Sequence, residues 1–369
     1  MNNESIILRN AHWIDGTIRT ITLGNEIAGN TAIIDCSDNL VFPGLVNSHD
    51  HLHFNLFPRL GNQLYNNYVE WGNDIHTTNK EEIAEVLHID KQVRTMWGMY
   101  KNLLAGVTTV VHHGESLAVD HSPIRICNRC YSLHSVRLEK RWQLRLNKPF
   151  RQNWPFAIHI GEGTDQPSRN EIDQLLRWNW LKRKLVGIHG VAMNEQQAKG
   201  FEALVWCPQS NFFLLGDTAR IHKLKQATHI LFGTDATVSA EWNAWSHLRA
   251  ARSTRMLSDT ELVEAVTKKA AHIWQINGWQ QDVVVAKRKS VDTMDAFFAV
   301  DPQDILLVIC KGIPVLFDTS LSGHFNGLSK IYSRIYIAGQ EKFVAGDMAG
   351  LIKKIKRTGV KINMPVDTD

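Results

Sequence analysis

Leu40-Val41-Phe42-Pro43-Gly44-Leu45-Val46-Asn47-Ser48-His49-Asp50-His51 is the stretch on which the fold turns. An apolar run suited to a buried strand ends in two imidazoles, His49 and His51, spaced two residues apart. On extended backbone, residues i and i+2 project to the same side. If that strand ends in a cavity, both rings can reach one metal ion, and borderline cations such as Zn²⁺ favour imidazole ligands. Taken alone, an HxH pair is more often a chance surface pair, so the rest of the chain has to decide.

Downstream, apolar runs at 44–51, 106–113, 124–130, 156–160, 186–189, 203–206 and 230–235 alternate with helical patterns at 80–101, 172–179 and 259–276. That alternation is the signature of βαβ units and a parallel sheet. A (β/α) barrel of the TIM type takes ~250 residues, so a chain of 369 residues has room for a barrel and a small second domain. Residues 5–40 read as short strands divided by turns such as Asp15-Gly16 and Gly24-Asn25. The same texture returns at 295–318, in Ala296-Phe297-Phe298-Ala299-Val300 and in Ile305-Leu306-Leu307-Val308-Ile309-Cys310. This predicts a small β-sandwich built from both termini, residues 1–42 and 291–369, around a central barrel at 43–290. Leu351-Ile352-Lys353-Lys354-Ile355-Lys356 predicts a short amphipathic helix near the end.

Composition narrows the function classes. Hydrophobic residues at 44% and charged residues at 21% describe an ordinary globular chain, and no run of eighteen apolar residues predicts a membrane span. Met1-Asn2-Asn3-Glu4-Ser5 shows no basic segment followed by an apolar one, so no signal peptide is expected. Five cysteines form an odd, sparse set, which argues against a disulfide framework and for a reducing, cytoplasmic setting. Cys127-Asn128-Arg129-Cys130 is a single C-x-x-C in an apolar run and reads as buried thiols. A net charge of +4 is mild, and the basic clusters around Arg137–Arg151 and Lys353–Arg357 read as solvated helix faces, not a nucleic-acid footprint.

Chemistry gathers where the predicted strands end. His159-Ile160-Gly161-Glu162 closes one, His189-Gly190 the next, Cys207-Pro208-Gln209-Ser210-Asn211 another, and Gly233-Thr234-Asp235 the last. Singly, each has a plain reading: a strand-end His is usually hydrogen-bonded or exposed, Gly-Thr-Asp is a common turn, and Cys-Pro is a strand stop. Jointly, successive strand ends presenting His, Glu or Asp call for a metal with an acid–base group. The C-terminal face of a parallel barrel is where such sites are built.

This ordered set, over roughly residues 1–318, resembles the amidohydrolase superfamily, and within it the mononuclear branch of guanine, cytosine and triazine-type deaminases and chlorohydrolases. The resemblance implies one divalent metal, zinc or iron, held by His49, His51, His159 and Asp235 with a position left for water. It implies that Glu162 shuttles a proton from that water to a ring nitrogen or leaving group. His189 would orient the hydroxide or polarise the substrate, and Asp235 would accept the hydroxide proton. The reaction implied is hydrolysis of a non-peptide C–N bond, foremost deamination of a small cyclic amidine or N-heterocycle, with a homodimer left open. Elementary chemistry agrees: three neutral imidazoles and one carboxylate leave the ion net positive, which acidifies bound water, and a nearby carboxyl can move the proton.

Only about two dozen residues separate Cys130 from Phe156, and Ser135–Trp142 reads as basic helix, so the barrel is expected to be shortened or distorted, its fourth strand absent or irregular. A binuclear, dihydroorotase- or hydantoinase-like enzyme would need a carboxylated lysine there, for which Lys148 is the best placed. A third reading is a barrel that keeps a metal but has lost catalysis; Glu162 speaks against it. For substrate contacts, His113 and Glu115 follow the second strand, and alternation lets only one of His112 and His113 point inward. His134 is a further candidate. Trp71, with Phe54, Phe57, Tyr65 and Tyr68, lies in the loop after the first strand, where aromatics would suit a planar heterocycle or simply pack the loop down.

Overall fold

The run that begins at Leu40 divides between two sheets. Asn39–Pro43 joins a nine-stranded mixed sheet, and Leu45–Asp50 opens a set of parallel strands. The computed structural model describes residues 5–24, 31–115, 117, 122–325, 331–362 and 364–368.

The parallel strands lie in two sheets. Leu45–Asp50, Val107–His112 and Arg125–Ile126 (first to third) form one. Tyr131–Ser135, Phe156–Ile160, Leu185–His189, Ala203–Trp206 and His229–Phe232 (fourth to eighth) form the other. Every residue of the first, second, fifth, sixth and seventh is buried. Burial on both faces is why these strands read as continuous apolar runs and not as an alternation. The eighth strand's continuation meets the first: the Asp235 amide donates to His49 C=O at 3.1 Å, and the Thr234 amide to Asn47 Oδ1 at 3.1 Å. The third and fourth strands belong to different sheets, which leaves a seam at Cys127–Cys130.

The expectation of a fourth strand absent or irregular resolves as irregular: Tyr131–Ser135 pairs in parallel with the fifth, with a register shift between Leu133 and Ser135. It begins directly after the expected third strand, 124–130, of which only Arg125–Ile126 pairs. The expected helix over 80–101 is two, Lys80–His88 and Lys91–Leu104, because Asp90 caps the second by accepting from the Gln92 and Val93 amides. The run Ala296–Val300 is not a strand. Asp292 caps a helical turn, Thr293–Phe298, and Phe297 packs edge-on against Phe42 and Trp245 at 5.1 and 5.0 Å.

The nine-stranded sheet is assembled from both ends of the chain, in the order Tyr332–Ile337, Gln340–Ala345, Ile313–Asp318, Ile305–Cys310, Val283–Lys287, Asn39–Pro43, Ser5–Trp13 and Ile18–Leu23, with Thr31–Asp35 also on Ser5–Trp13. Val283–Lys287, inside the central segment of the sequence reading, is an interior strand here. One face buries Ile6, Leu8, Val41, Val285 and Leu307 in a core of its own. The helix Met348–Arg357 buries Met348, Ile352 and Ile355 and leaves its lysines outward.

Beneath the strand ends sits a buried ion pair. Lys101, on the helix Lys91–Leu104, reaches Asp50 Oδ2 at 3.1 Å, and both residues are almost wholly buried. Asn102 and Asn55 donate to the same carboxylate at 2.7 and 2.8 Å, and Lys101 also donates to Asn55 Oδ1 at 2.9 Å. The helix can come this close because residue 98 is glycine: a Cβ there would overlap the Leu52 carbonyl. Replacing Lys101 with Met would strand a buried carboxylate. We expect Lys101→Met to cost about 3–5 kcal/mol in urea unfolding, and Lys101→Met with Asp50→Asn to recover part of that loss.

Candidate metal centre

The first strand places His49 and His51 on one side, and the fifth brings His159 against them. The Nε2 atom of His159 lies 3.3 Å from Nε2 of His49 and 3.3 Å from Nε2 of His51. Asp235 Oδ1 is 3.4 Å from His49 Nε2 and 3.8 Å from His51 Nε2. Ligands about 2.0–2.1 Å from a tetrahedral ion stand roughly 3.3 Å from one another, so the three histidines have the spacing of a shared ion site, with Asp235 beside two of them. The tautomer agrees. His159 donates from Nδ1 to the His134 carbonyl at 2.9 Å, which leaves its Nε2 lone pair facing the other rings. His159 thus faces the other two rings with a lone pair, the form in which an imidazole can bind a cation.

Asp235 is held from behind. Its Oδ2 accepts from Ser210 at 2.8 Å and Ser239 at 3.0 Å, and its Oδ1 from the Ala236 amide at 2.8 Å. Its backbone is left-handed, φ 58°, a conformation that costs a non-glycine residue about 1–2 kcal/mol. Glycine at 233 is what lets this segment reach the first strand, since a Cβ there would lie 2.7 Å from that of His49.

His189 ends the sixth strand and is also left-handed, φ 72°. Its Nε2 lies 3.6 Å from Glu162 Oε2. A buried relay sets its tautomer. Trp206 donates to Thr218 Oγ1 at 2.7 Å, Thr218 donates to Asn211 Oδ1 at 3.3 Å, and the Asn211 amide nitrogen is 3.0 Å from His189 Nδ1. The indole can only donate, so the orientation runs one way along the chain: Asn211 donates to Nδ1, and the ring proton of His189 sits on Nε2. His189, His49 and Asp235 also stand close enough to hold an ion. The relay argues for the other set, because a protonated Nε2 has no lone pair to give and is a hydrogen-bond donor into the site.

Burial and neighbouring charge tune the groups. Burial foremost, then the charge of the adjacent imidazoles, holds His51, His113 and His159 well below the ordinary histidine range, and His189 is pushed down to about 3. The rings are therefore neutral at pH 7 and fit to bind metal. Burial would raise Asp235, but its bond from His49 and the surrounding histidines hold it well below the carboxylate range. Glu162 is raised well above that range by burial and by the charges of Asp235 and Glu171.

A cavity of about 390 Å³ opens beside these groups, with His51, His159, Glu162, His189 and Asp235 on its wall. Trp71 and His134 line it too; Trp71 donates its indole N–H to the Leu60 carbonyl at 2.8 Å. His113 is the inward-pointing member of its pair. Its ring lies 4.2 Å from that of His159 and is buried with neither nitrogen bonded, against the ligand cluster and not on the cavity wall. Glu115 does not face the cavity: past Gly114, at φ 142°, the chain turns outward, and Glu115 is 83% exposed and paired with Lys91 at 2.6 Å. Lys148 is exposed, and no lysine lies on the fourth strand. Three contributors have no assigned role in the sequence reading. Ser210 and Asn211 stand in a quoted motif, but their partners are visible only in three dimensions. Glu171, pushed up to about 7 by burial, accepts from the Gly161 amide at 2.7 Å and steadies the turn carrying Glu162.

No protein-family model and no curated protein matches the chain. Solved structures do. An adenosine deaminase from Xanthomonas campestris with bound zinc superposes with a TM-score of 0.69 at 16% identity, over 97% of this chain and 98% of that one. Escherichia coli guanine deaminase gives 0.61 at 16% identity, over 85% and 98%. Helicobacter pylori aminofutalosine deaminase gives 0.60 at 12% identity, over 85% and 100%. At these identities the chain shares their fold.

The relay is testable without a substrate. Asn211→Asp replaces a donor to His189 Nδ1 with an acceptor, and we expect the ring proton to move from Nε2 to Nδ1. In ¹⁵N-histidine-labelled protein, the His189 Nε2 resonance, assigned by its loss in His189→Gln, should shift from the protonated to the unprotonated range.

Proposed function

We propose that the chain is a metal-dependent hydrolase of non-peptide C–N bonds, a mononuclear amidohydrolase that deaminates a small cyclic amidine or N-heterocycle. The observation that carries this reading is the three-histidine cluster with Asp235 against it and Glu162 and His189 beside it, where His51, His159, Asp235, Glu162 and His189 share the wall of one cavity. The names of the structural neighbours, deaminases among them and one with bound zinc, support it. We read the eight parallel strands as one barrel, joined between its first and eighth strands and open at the seam between the third and fourth.

His49, His51, His159 and Asp235 would hold one zinc or iron ion, which when bound supplies the positive charge that acidifies water and polarises the group under attack. Glu162 is buried with a raised affinity for protons, so it can take a proton from the attacking water and hand it to the departing nitrogen. His189, protonated on Nε2, donates to the oxygen that gains charge, and its relay fixes that direction in advance. Asp235, with two serines on its outer oxygen, is placed to receive a second proton. A metal retained for structure alone would have no use for Glu162. The binuclear alternative lacks its bridging lysine on the fourth strand. Five free cysteines suit a reducing compartment such as the cytoplasm.

Metal content and ammonia release from a panel of purines, pyrimidines, triazines and pterins test the reading in one preparation. We expect about one metal per chain, and Glu162→Gln to retain it while turnover falls at least 100-fold. Asp235→Ala should lose metal or activity. Near-normal turnover in Glu162→Gln, or two equivalents of metal with a modified lysine by mass, would refute the scheme.

A further inference from the structure

Most of the cavity wall is apolar. Beyond the metal ligands, Glu162 and His189, its wall is made by Phe54, Phe57, Leu60, Ile75, Ile83 and Val238. Among the described lining residues there is no lysine, arginine, asparagine, glutamine, serine or threonine. Four further polar side chains reach the wall. The Trp71 N–H is committed to the Leu60 carbonyl, and the Tyr68 hydroxyl lies 3.4 Å from Glu171 Oε2, behind the wall. That leaves His134, whose Nδ1 is 3.3 Å from Ser135 Oγ, and His76 at the exposed rim.

A purine or pyrimidine base carries several ring and exocyclic groups that need partners, and a ribose adds hydroxyls. Each such group buried here without a partner would cost about 1–3 kcal/mol. The rim adds to the apolar lining: Leu87 and Leu138, 48% and 53% exposed, stand at the cavity mouth. Both belong to the walls that make the pocket: Leu87 to the helix Lys80–His88 and Leu138 to the turn after the fourth strand. Apolar side chains thus line both the mouth, at Leu87 and Leu138, and the interior wall.

Resting on the proposed hydrolase reading, we propose that the substrate is amphipathic: an uncharged azine or amidine whose reacting C–N carbon faces Glu162 and His189, and which carries an alkyl or aryl substituent lying along Phe57, Ile75 and Ile83 toward the rim. Nucleosides, phosphorylated compounds and bare polar bases are poor fits. In the reaction, the oxygen of water bonds to the ring carbon, the C–N bond breaks, and the nitrogen leaves as ammonia or an amine with a proton from that water.

The test compares melamine, N-isopropylmelamine and N-benzylmelamine with adenosine, guanine and cytosine on the metal-loaded protein, following amine release. Burial of a methylene is worth ~0.8 kcal/mol, about fourfold, so kcat/KM should rise at least tenfold from melamine to its isopropyl derivative and should not fall for benzyl. Ile83→Asn, at a half-buried position on the wall, should cut the benzyl-to-melamine ratio of kcat/KM about tenfold with metal content unchanged. If adenosine, guanine or cytosine is the best substrate, the apolar assignment is wrong although the hydrolase reading stands. If nothing is turned over, calorimetry on the same compounds decides. Preferential binding of the benzyl derivative, weakened by Ile83→Asn, upholds the apolar pocket without the hydrolase reading, and equal or absent binding overturns it.

Discussion

Everything at the site depends on a charge buried directly beneath it. Asp50 stands between the two histidines of the first strand, and its side chain points away from them into the protein, where Lys101 neutralises it. A buried carboxylate is tolerated only when it is paired and hydrogen-bonded, and here Asn102 and Asn55 complete its shell. Asn47 extends the network, donating to Asn102 Oδ1 at 2.9 Å and to Thr234 Oγ1 at 2.8 Å. The first strand, the helix behind it and the segment leading to Asp235 are thereby fixed to one another by polar bonds with directional requirements, which apolar packing alone would not impose.

Above that floor, the side chains are arranged by backbone that is itself under strain. His189 and Asp235 both adopt left-handed conformations just as their strands end. Strain of this kind persists where surrounding contacts over-determine it, and it is commonest at functional sites. The contacts are present: the Asn211 relay at His189, and Ser210, Ser239 and the Ala236 amide at Asp235. One short helix, Pro208–Leu215, supplies both Ser210 and Asn211, so a single element orients the two strained residues.

The site was more legible in the sequence than the fold around it. His49, His51, His159, Glu162, His189 and Asp235 could be picked out because strand ends are marked by the switch from apolar runs to ionisable residues, and the structure brings all six to one place. The fourth strand was hidden because Tyr131–Ser135 carries two serines and a histidine and so lacks the apolar run that marks its neighbours. Ala296–Val300 misled because a short apolar run fits strand and helix equally, and a cap at Asp292 settled the matter. Glu115 looked inward by counting residues, but a glycine at positive φ ends the count. The Lys101–Asp50 pair was invisible, since nothing in a helix sequence distinguishes a lysine that will be buried from one that will not.

The seam between the third and fourth strands has a consequence for how the molecule moves. His49 and His51 stand on the three-stranded side, His159 on the five-stranded side, and Asp235 just past that sheet's last strand. An ion shared by all four would act as a rivet across two sheets whose remaining backbone link runs along the opposite junction, at His49 and Asp235. Occupancy would then bear on local opening at the seam, where the edge strands Arg125–Ile126 and Tyr131–Ser135 belong to different sheets.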